Sequence, residues 1–136
     1  MQIYRYLTPD DQPATLEDAT SNLGALKQLA GSTIFAGWIG KQLVATCTLV
    51  IIPNLTRGGM PYALIENVVT HPGQRNKGFG KAILAKAVEI AWAANCYKVM
   101  LLTGSKRPAV HGFYLSAGFE QNKTGFQIRR IPVNVV

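Results

Sequence analysis

The sequence predicts a mixed α+β fold: a mostly antiparallel central sheet that contains one parallel strand pair and is flanked by helices. Three observations carry this. Residues 33–39, 42–53 and 62–70 are Ile-, Val-, Thr- and aromatic-rich segments separated by turn chemistry, the pattern of an antiparallel meander. Residues 81–95 then repeat apolar positions at helical spacing, and 97–103 is an apolar run of strand length. A strand that follows a helix in this way returns parallel to the strand before it, through a crossover unit.

Taken in order, residues 2–6 are read as a short first strand, closed by the turn residues Thr8-Pro9-Asp10-Asp11. Thr15 is placed to cap a helix over 16–30, with Asp18 standing where a full capping box would carry Glu. Leu16, Leu23, Leu26 and Leu29 give that helix a rough apolar stripe, expected to pack into the core, and Gly31 ends it. Gly40-Lys41 makes the hairpin turn between the first two meander strands, and 53–61 is a longer loop. His71-Pro72-Gly73 stops the third.

The helix over 81–95 turns Ile83, Leu84, Ala87, Val88, Ala91 and Ala94 to one side and Lys86 and Glu89 to the other. Pro108 suits the first turn of a helix through Ala117, which Gly118 closes. Residues 119–120 and 126–131 are expected as two closing strands about the turn Asn122-Lys123-Thr124-Gly125. Trp38, Tyr62 and Trp92 are read as core or rim aromatics.

A chain of 136 residues with 48% hydrophobic content is expected to form one domain, 1–136, around its own core. Its apolar runs, such as Leu49-Val50-Ile51-Ile52, fall far short of the roughly 20 residues of a membrane span. The opening Met1-Gln2-Ile3-Tyr4-Arg5-Tyr6 lacks a secretory pattern, so a soluble cytoplasmic protein without a membrane partner is expected. Cys47 and Cys96 lie far apart in apolar surroundings and fit buried free thiols, with no metal-binding spacing. The net charge of +7 points to an anionic partner, either nucleic acid or an anionic cofactor. From Thr20 through Phe119 the only acids are Glu66 and Glu89, which narrows the search for a carboxylate with a chemical role.

The stretch Gln74-Arg75-Asn76-Lys77-Gly78-Phe79-Gly80-Lys81 joins the third meander strand to the long helix. Consecutive backbone N–H groups converge on an anion where no Cβ intervenes, and Gly78 and Gly80 remove it at two places. The helix start adds its own free N–H groups and dipole, and Arg75, Lys77 and Lys81 add charge, so a pyrophosphate fits. Two other glycine motifs fail here. A triphosphate P-loop would need glycine at 75 and Ser or Thr at 82, where Arg75 and Ala82 stand; a dinucleotide fingerprint would need a small residue at 83, where Ile83 stands.

The spacing Gln74/Arg75-x-x-Gly78-x-Gly80 between a strand and a helix resembles the acetyl-coenzyme-A motif of the GNAT N-acetyltransferase superfamily. Ala109-Val110-His111-Gly112-Phe113-Tyr114-Leu115-Ser116-Ala117-Gly118-Phe119 is similar to that family's helix ending Phe-Tyr-x-x-x-Gly-Phe. The element order over nearly the whole chain is also similar. An Asn common near the start of that helix is replaced around Lys106-Arg107-Pro108, which puts the cofactor's outer contacts in question.

The resemblance implies a splayed parallel strand pair in which Val68 and Val69 offer backbone groups to the pantetheine arm. Gln74, Arg75, Asn76, Lys77, Gly78, Phe79, Gly80 and Lys81 would hold the pyrophosphate. An amine attacks only when neutral, so a proton acceptor is required. Glu66, within the apolar strand Ala63-Leu64-Ile65-Glu66-Asn67-Val68-Val69, is the candidate, with a structural acceptor as its alternative role. The resemblance makes Tyr114 the donor of a proton to the departing thiolate, against packing with Phe113. His111, three residues earlier on the same face, is read as a solvated or capping histidine before a second acid.

The reading is an acetyl-CoA-dependent N-acetyltransferase that moves an acetyl group to a primary amine by direct attack in a ternary complex, with no metal. Its acceptor is a small-molecule or peptide amine whose identity the sequence leaves open. Two rivals are a coenzyme A-binding protein without catalysis and a basic nucleic-acid-binding module. The second is weakened because Lys and Arg cluster at the turn instead of interleaving with aromatics along a stripe. The oligomeric state is unfixed, and a homodimer paired through the C-terminal strands is the assembly those strands would allow.

Overall fold

In the computed structural model, which describes residues 1–132, four strands form one sheet in the order β1-β2-β3-β4. β1 (Thr33–Ile39), β2 (Gln42–Ile52) and β3 (Tyr62–Thr70) make the expected antiparallel meander, and β4 (Val99–Leu101) pairs parallel to β3. Between β3 and β4 runs α2 (Phe79–Ala93), and α1 (Leu16–Gln28) precedes β1. The chain divides into two compact units, Met1–Leu101 and Leu102–Val136. The sheet, α1 and α2 belong to the first.

The core of the first unit lies between β2, the centre of β3 and one face of α2. Val44, Ala45, Cys47 and Leu49 of β2, Ala63, Ile65 and Val69 of β3, and Ile83, Leu84, Ala87 and Ala91 of α2 are buried. The period of 3.6 sets this face, and three of its positions are too small to hold the helix away from the sheet: Gly80, Ala87 and Ala91. Cys47 and Cys96 are buried free thiols. Burial pushes the Cys47 thiol up to about 11 and raises that of Cys96, because an apolar site disfavours the thiolate.

Four sequence expectations are corrected. Residues Gln2–Tyr6 are a 3-10 turn, not a strand: Tyr4 N–H donates to Met1 O and Leu7 N–H to Tyr4 O, so the backbone closes locally and only Ile3 is buried. α1 starts where Thr15 caps it but buries none of its residues. Its leucines at steps of seven, three and three drift around the helix by about 60° per three-residue step, and Leu29 falls past its end. Leu16 is 80% exposed and Leu29 50%, so the stripe is not core.

The fourth parallel segment shrinks from 97–103 to Val99–Leu101. The closing strands over 119–120 and 126–131 are absent among the described residues, where no strand follows β4. Alternation gives a segment one apolar face, but a strand exists only where a neighbour pairs with its backbone. Without them the C-terminal pairing offered for a homodimer loses its basis. Trp38 and Trp92, 60% and 53% exposed, lie at the rim.

The second unit holds α3 (Pro108–Ser116), with Pro108 in its first turn and Gly118, at φ +95°, closing it through a bond from its N–H to Leu115 O. Ahead of α3, Thr103 Oγ1 accepts from Ser105 N–H, and Ser105 Oγ from Arg107 N–H. The chain at Gly125 runs close to the Leu102 side chain, where a Cβ would meet Cδ2 at 2.8 Å. No helix among the described residues is long and apolar enough to cross a membrane.

Candidate active site

β3 pairs with β4 only from Ala63↔Val99 to Ile65↔Leu101, so the strand runs on from Glu66 to Thr70 with no parallel partner in β4. On its other side the ladder is interrupted: Thr48 faces Glu66 and Thr46 faces Val69, leaving Cys47 opposite both Asn67 and Val68. This is a β-bulge, and Asn67 sits at its centre with φ +53°. Asparagine tolerates that left-handed conformation where a β-branched residue would not. The polar pair Glu66-Asn67 inside an apolar strand was the sequence signal for it.

Glu66 and Asn67 are exposed, Val68 is half-buried and Val69 buried. Among the described residues the Glu66 carboxylate has no hydrogen-bond or ion-pair partner. Val68 lies within the bulge, beside the open edge.

After β3 the chain makes a short 3-10 turn, Pro72–Gln74, and then enters α2 through Arg75-Asn76-Lys77-Gly78. Asn76 at φ +60° and Gly78 at φ +86° are both left-handed, with Arg75 extended before them and the helix starting at Phe79. Gln74 N–H is used within the protein, donating to His71 O at 2.9 Å. From Arg75 through Lys81, no backbone N–H donates to any group among the described residues. The first intrahelical donor is Ala82, to Gly78 O at 2.9 Å.

The side chains of this turn remain cationic. Arg75 Nε–H reaches Thr70 O at 3.3 Å, Lys77 Nζ donates to Gln74 Oε1 at 3.1 Å, and Lys81 is exposed. None of the three meets a carboxylate; the ion pair among the described residues joins Lys86 to Glu89 at 3.5 Å. Gly80 is buried beneath the helix start, whereas Gly78 has nothing within 4 Å of where a Cβ would stand. Gly78 is thus required by its backbone angle and by access to the amides, not by crowding.

Tyr114 is half-buried on α3, its ring 5.0 Å from Phe113 and 6.4 Å edge-on to Phe119, and its carbonyl accepts from Phe119 N–H. His111 Nε2 lies 2.6 Å from Ser105 O, tying the loop before α3 to the helix without capping it, since the N-cap is Arg107. Cys47 Sγ points at Ile83 O with its thiol held protonated, which removes it as an acyl carrier near neutral pH.

A cleft of about 750 Å³ elsewhere in the first unit is lined by Ile3, Tyr6, Trp38, Lys41, Gln42 and His71, among others; none of residues 74–81 lines it. Sequence reasoning took His71 only as a strand stop. Its position before Pro72 was the available signal, because proline holds the preceding residue extended, as an N-cap requires.

The parallel strand pair parts at Ile65, and the start of α2 is uncapped and cationic. The acetyltransferase (GNAT) family model matches residues 1–119, and the chain belongs to that family. It is an acetyl-CoA-dependent acyltransferase.

A glucosamine 6-phosphate N-acetyltransferase from Trypanosoma brucei brucei is 32% identical over 105 residues, covering 76% of this chain and 69% of that protein. A solved putative acetyltransferase from Agrobacterium tumefaciens superposes with a TM-score of 0.88 at 51% identity, covering 95% of this chain and 90% of that one. At 14% identity, where the likeness concerns the fold alone, AAC(6')-Iy in complex with the bisubstrate analogue CoA-S-monomethyl-acetylneamine gives a TM-score of 0.77 over 96% of this chain and 88% of that one.

Proposed function

We propose that the protein moves an acetyl group from acetyl-CoA to a primary amine by direct attack within a ternary complex. The observation that carries this reading is the run of unengaged amides from Arg75 to Lys81 around Asn76 and Gly78. Those amides and the three cations take the pyrophosphate, and the free edge of β3 at Val68 and Val69 takes the amide-bearing arm as an added strand. Acetyl-CoA supplies the activated acyl group as a thioester.

Glu66 receives the proton of the acceptor ammonium, directly or through water, and its lack of a protein partner leaves it able to do so. The freed amine attacks the carbonyl carbon while the Val68 N–H polarises the oxygen. As the new C–N bond forms, the C–S bond breaks and Tyr114 gives its phenolic proton to the sulfur; the nitrogen sheds its surplus proton through water, which restores the phenol. The two free buried thiols fit a reducing, cytoplasmic setting. The acceptor is a small-molecule or peptide amine, without nucleic acid or membrane.

Thiol release in the presence of an amine panel tests the activity, with glucosamine 6-phosphate first because of the relative that bears its name. Tyr114→Phe should lower kcat by about tenfold or more while changing acetyl-CoA affinity little. Full turnover in that variant returns Tyr114 to packing against Phe113 and Phe119. Binding of acetyl-CoA with no thiol release from any amine would favour the non-catalytic carrier-binding reading.

A further inference from the structure

His71 uses every hydrogen-bonding group it has, and each ties a different segment. Its backbone N–H donates to Val44 O of β2 at 2.7 Å, and its carbonyl accepts from Gln74 N–H at 2.9 Å. Its Nδ1 accepts from Gly73 N–H at 3.1 Å, capping the 3-10 turn Pro72–Gln74. Its Nε2 lies 3.4 Å from the Tyr6 hydroxyl, and the two rings meet edge to face at 5.0 Å.

Because Nδ1 is an acceptor, the proton of the neutral ring sits on Nε2. The turn it caps leads without interruption into the free amides that begin at Arg75. Those amides are useful to an anion only while their common direction is kept; Gln74 Nε2 reaches Gln42 Oε1 at 3.5 Å and Arg75 Nε–H reaches Thr70 O at 3.3 Å, but the Gly73-to-His71 bond is the one in which a side chain holds a backbone N–H of the entering turn.

We propose that His71 is a positioning residue for the phosphate-gripping turn, acting through Nδ1 as the acceptor that fixes the path of residues 72–74. The role rests on the reading of residues 74–81 as the pyrophosphate grip. It touches neither the amine nor the thioester, so it sets the affinity for acetyl-CoA and leaves the chemical step alone. The Tyr6 contact holds the ring in place but is not the source of the effect.

Two amide substitutions separate the ring nitrogens, since the Asn oxygen reaches the position of Nδ1 and the Gln amide that of Nε2. Calorimetry with acetyl-CoA should find His71→Asn within about threefold of the parent and His71→Gln weaker by about five- to tenfold, with KM for acetyl-CoA moving and kcat not. Melting curves on both variants confirm that each is folded. In the parent protein, nitrogen NMR should show Nδ1 unprotonated and Nε2 protonated near neutral pH.

Equal affinities for the two variants, the reverse order, or a proton on Nδ1 would overturn the proposal. Gly78→Asp serves as the control for the underlying reading. If it leaves acetyl-CoA affinity intact, the pyrophosphate assignment fails; if it abolishes binding while Asn and Gln at 71 behave alike, only the role of His71 fails.

Discussion

α1 and α2 begin in opposite ways. At the start of α1, Thr15 Oγ1 accepts from Asp18 N–H at 3.1 Å and donates to the Asp18 carboxylate at 2.8 Å, while Glu17 and Asp18 set negative charge against the dipole. At the start of α2 the N-cap is Gly78, which has no side chain to offer; its first turn contains no acid, and Lys81 adds positive charge. One helix satisfies its own free donors, and the other holds them out. The same two helices differ in burial: α1 buries nothing, and α2 buries five residues against the sheet. A helix start can be left unsatisfied in this way when packing elsewhere along the helix secures it.

The strongest way to break this contrast is to give α2 a start like that of α1. Gly78→Asp places a carboxylate beside the helix's own amides, where it repels phosphate; the space is open, but the left-handed backbone at φ +86° adds strain of about 1 kcal/mol. Acetyl-CoA affinity should fall by about a hundredfold or more, or roughly 3 kcal/mol, with the melting temperature changed by only a few degrees. Unchanged affinity in calorimetry would remove the pyrophosphate assignment.

The packing half of the contrast is tested by cutting one leucine from each helix. Leu84 is 1% exposed, and Leu84→Ala should cost about 3 kcal/mol in denaturant unfolding. Leu23, 37% exposed on α1, should cost less than about 0.5 kcal/mol when cut to Ala. Similar losses at the two sites would mean that α1 is packed as firmly as α2.

Cys47 beneath α2 gives a pH signature of the same burial. Its thiol is raised in the folded state, so the unfolded chain ionises first as pH rises, and stability present below the unfolded value of about 8.5 is lost on the way to about 11. Relative to Cys47→Val, the parent should lose on the order of 2 kcal/mol between pH 8.5 and 11. A constant difference between the two proteins across that range would contradict the burial.

The smallest effect belongs to the cap of α1. Thr15→Ala should cost about 1 kcal/mol or less and leave acetyl-CoA affinity alone, because those amides serve only their own helix. A change in affinity there would erase the distinction between the two helix starts.

Much of the contrast was written in the chain. Thr15 with Asp18, and glycine with lysine around positions 78–81, are local statements about which amides are capped, and the structure agrees with both. The meander, its hairpin at Gly40-Lys41 and the parallel return after α2 follow from period and turn chemistry, which act over a few residues. Such features survive without knowledge of the neighbours.

What the neighbours decide could not be read in advance. Leucines at near-helical spacing in α1 look like a core face, but whether a surface arrives to cover them is a tertiary matter, and little does. Residues 2–6 and 126–131 carry strand-like chemistry, yet a strand needs a partner's N–H and C=O groups. The first segment closes on itself, and no strand forms over the second. The bulge that frees Glu66, the end of the parallel pairing at Ile65 and the fourfold tie of His71 likewise depend on register against β2 and β4. The sequence alone determined which amides would be left bare; the tertiary structure decided where the sheet opens beside them, because pairing and burial are agreements between segments distant along the chain.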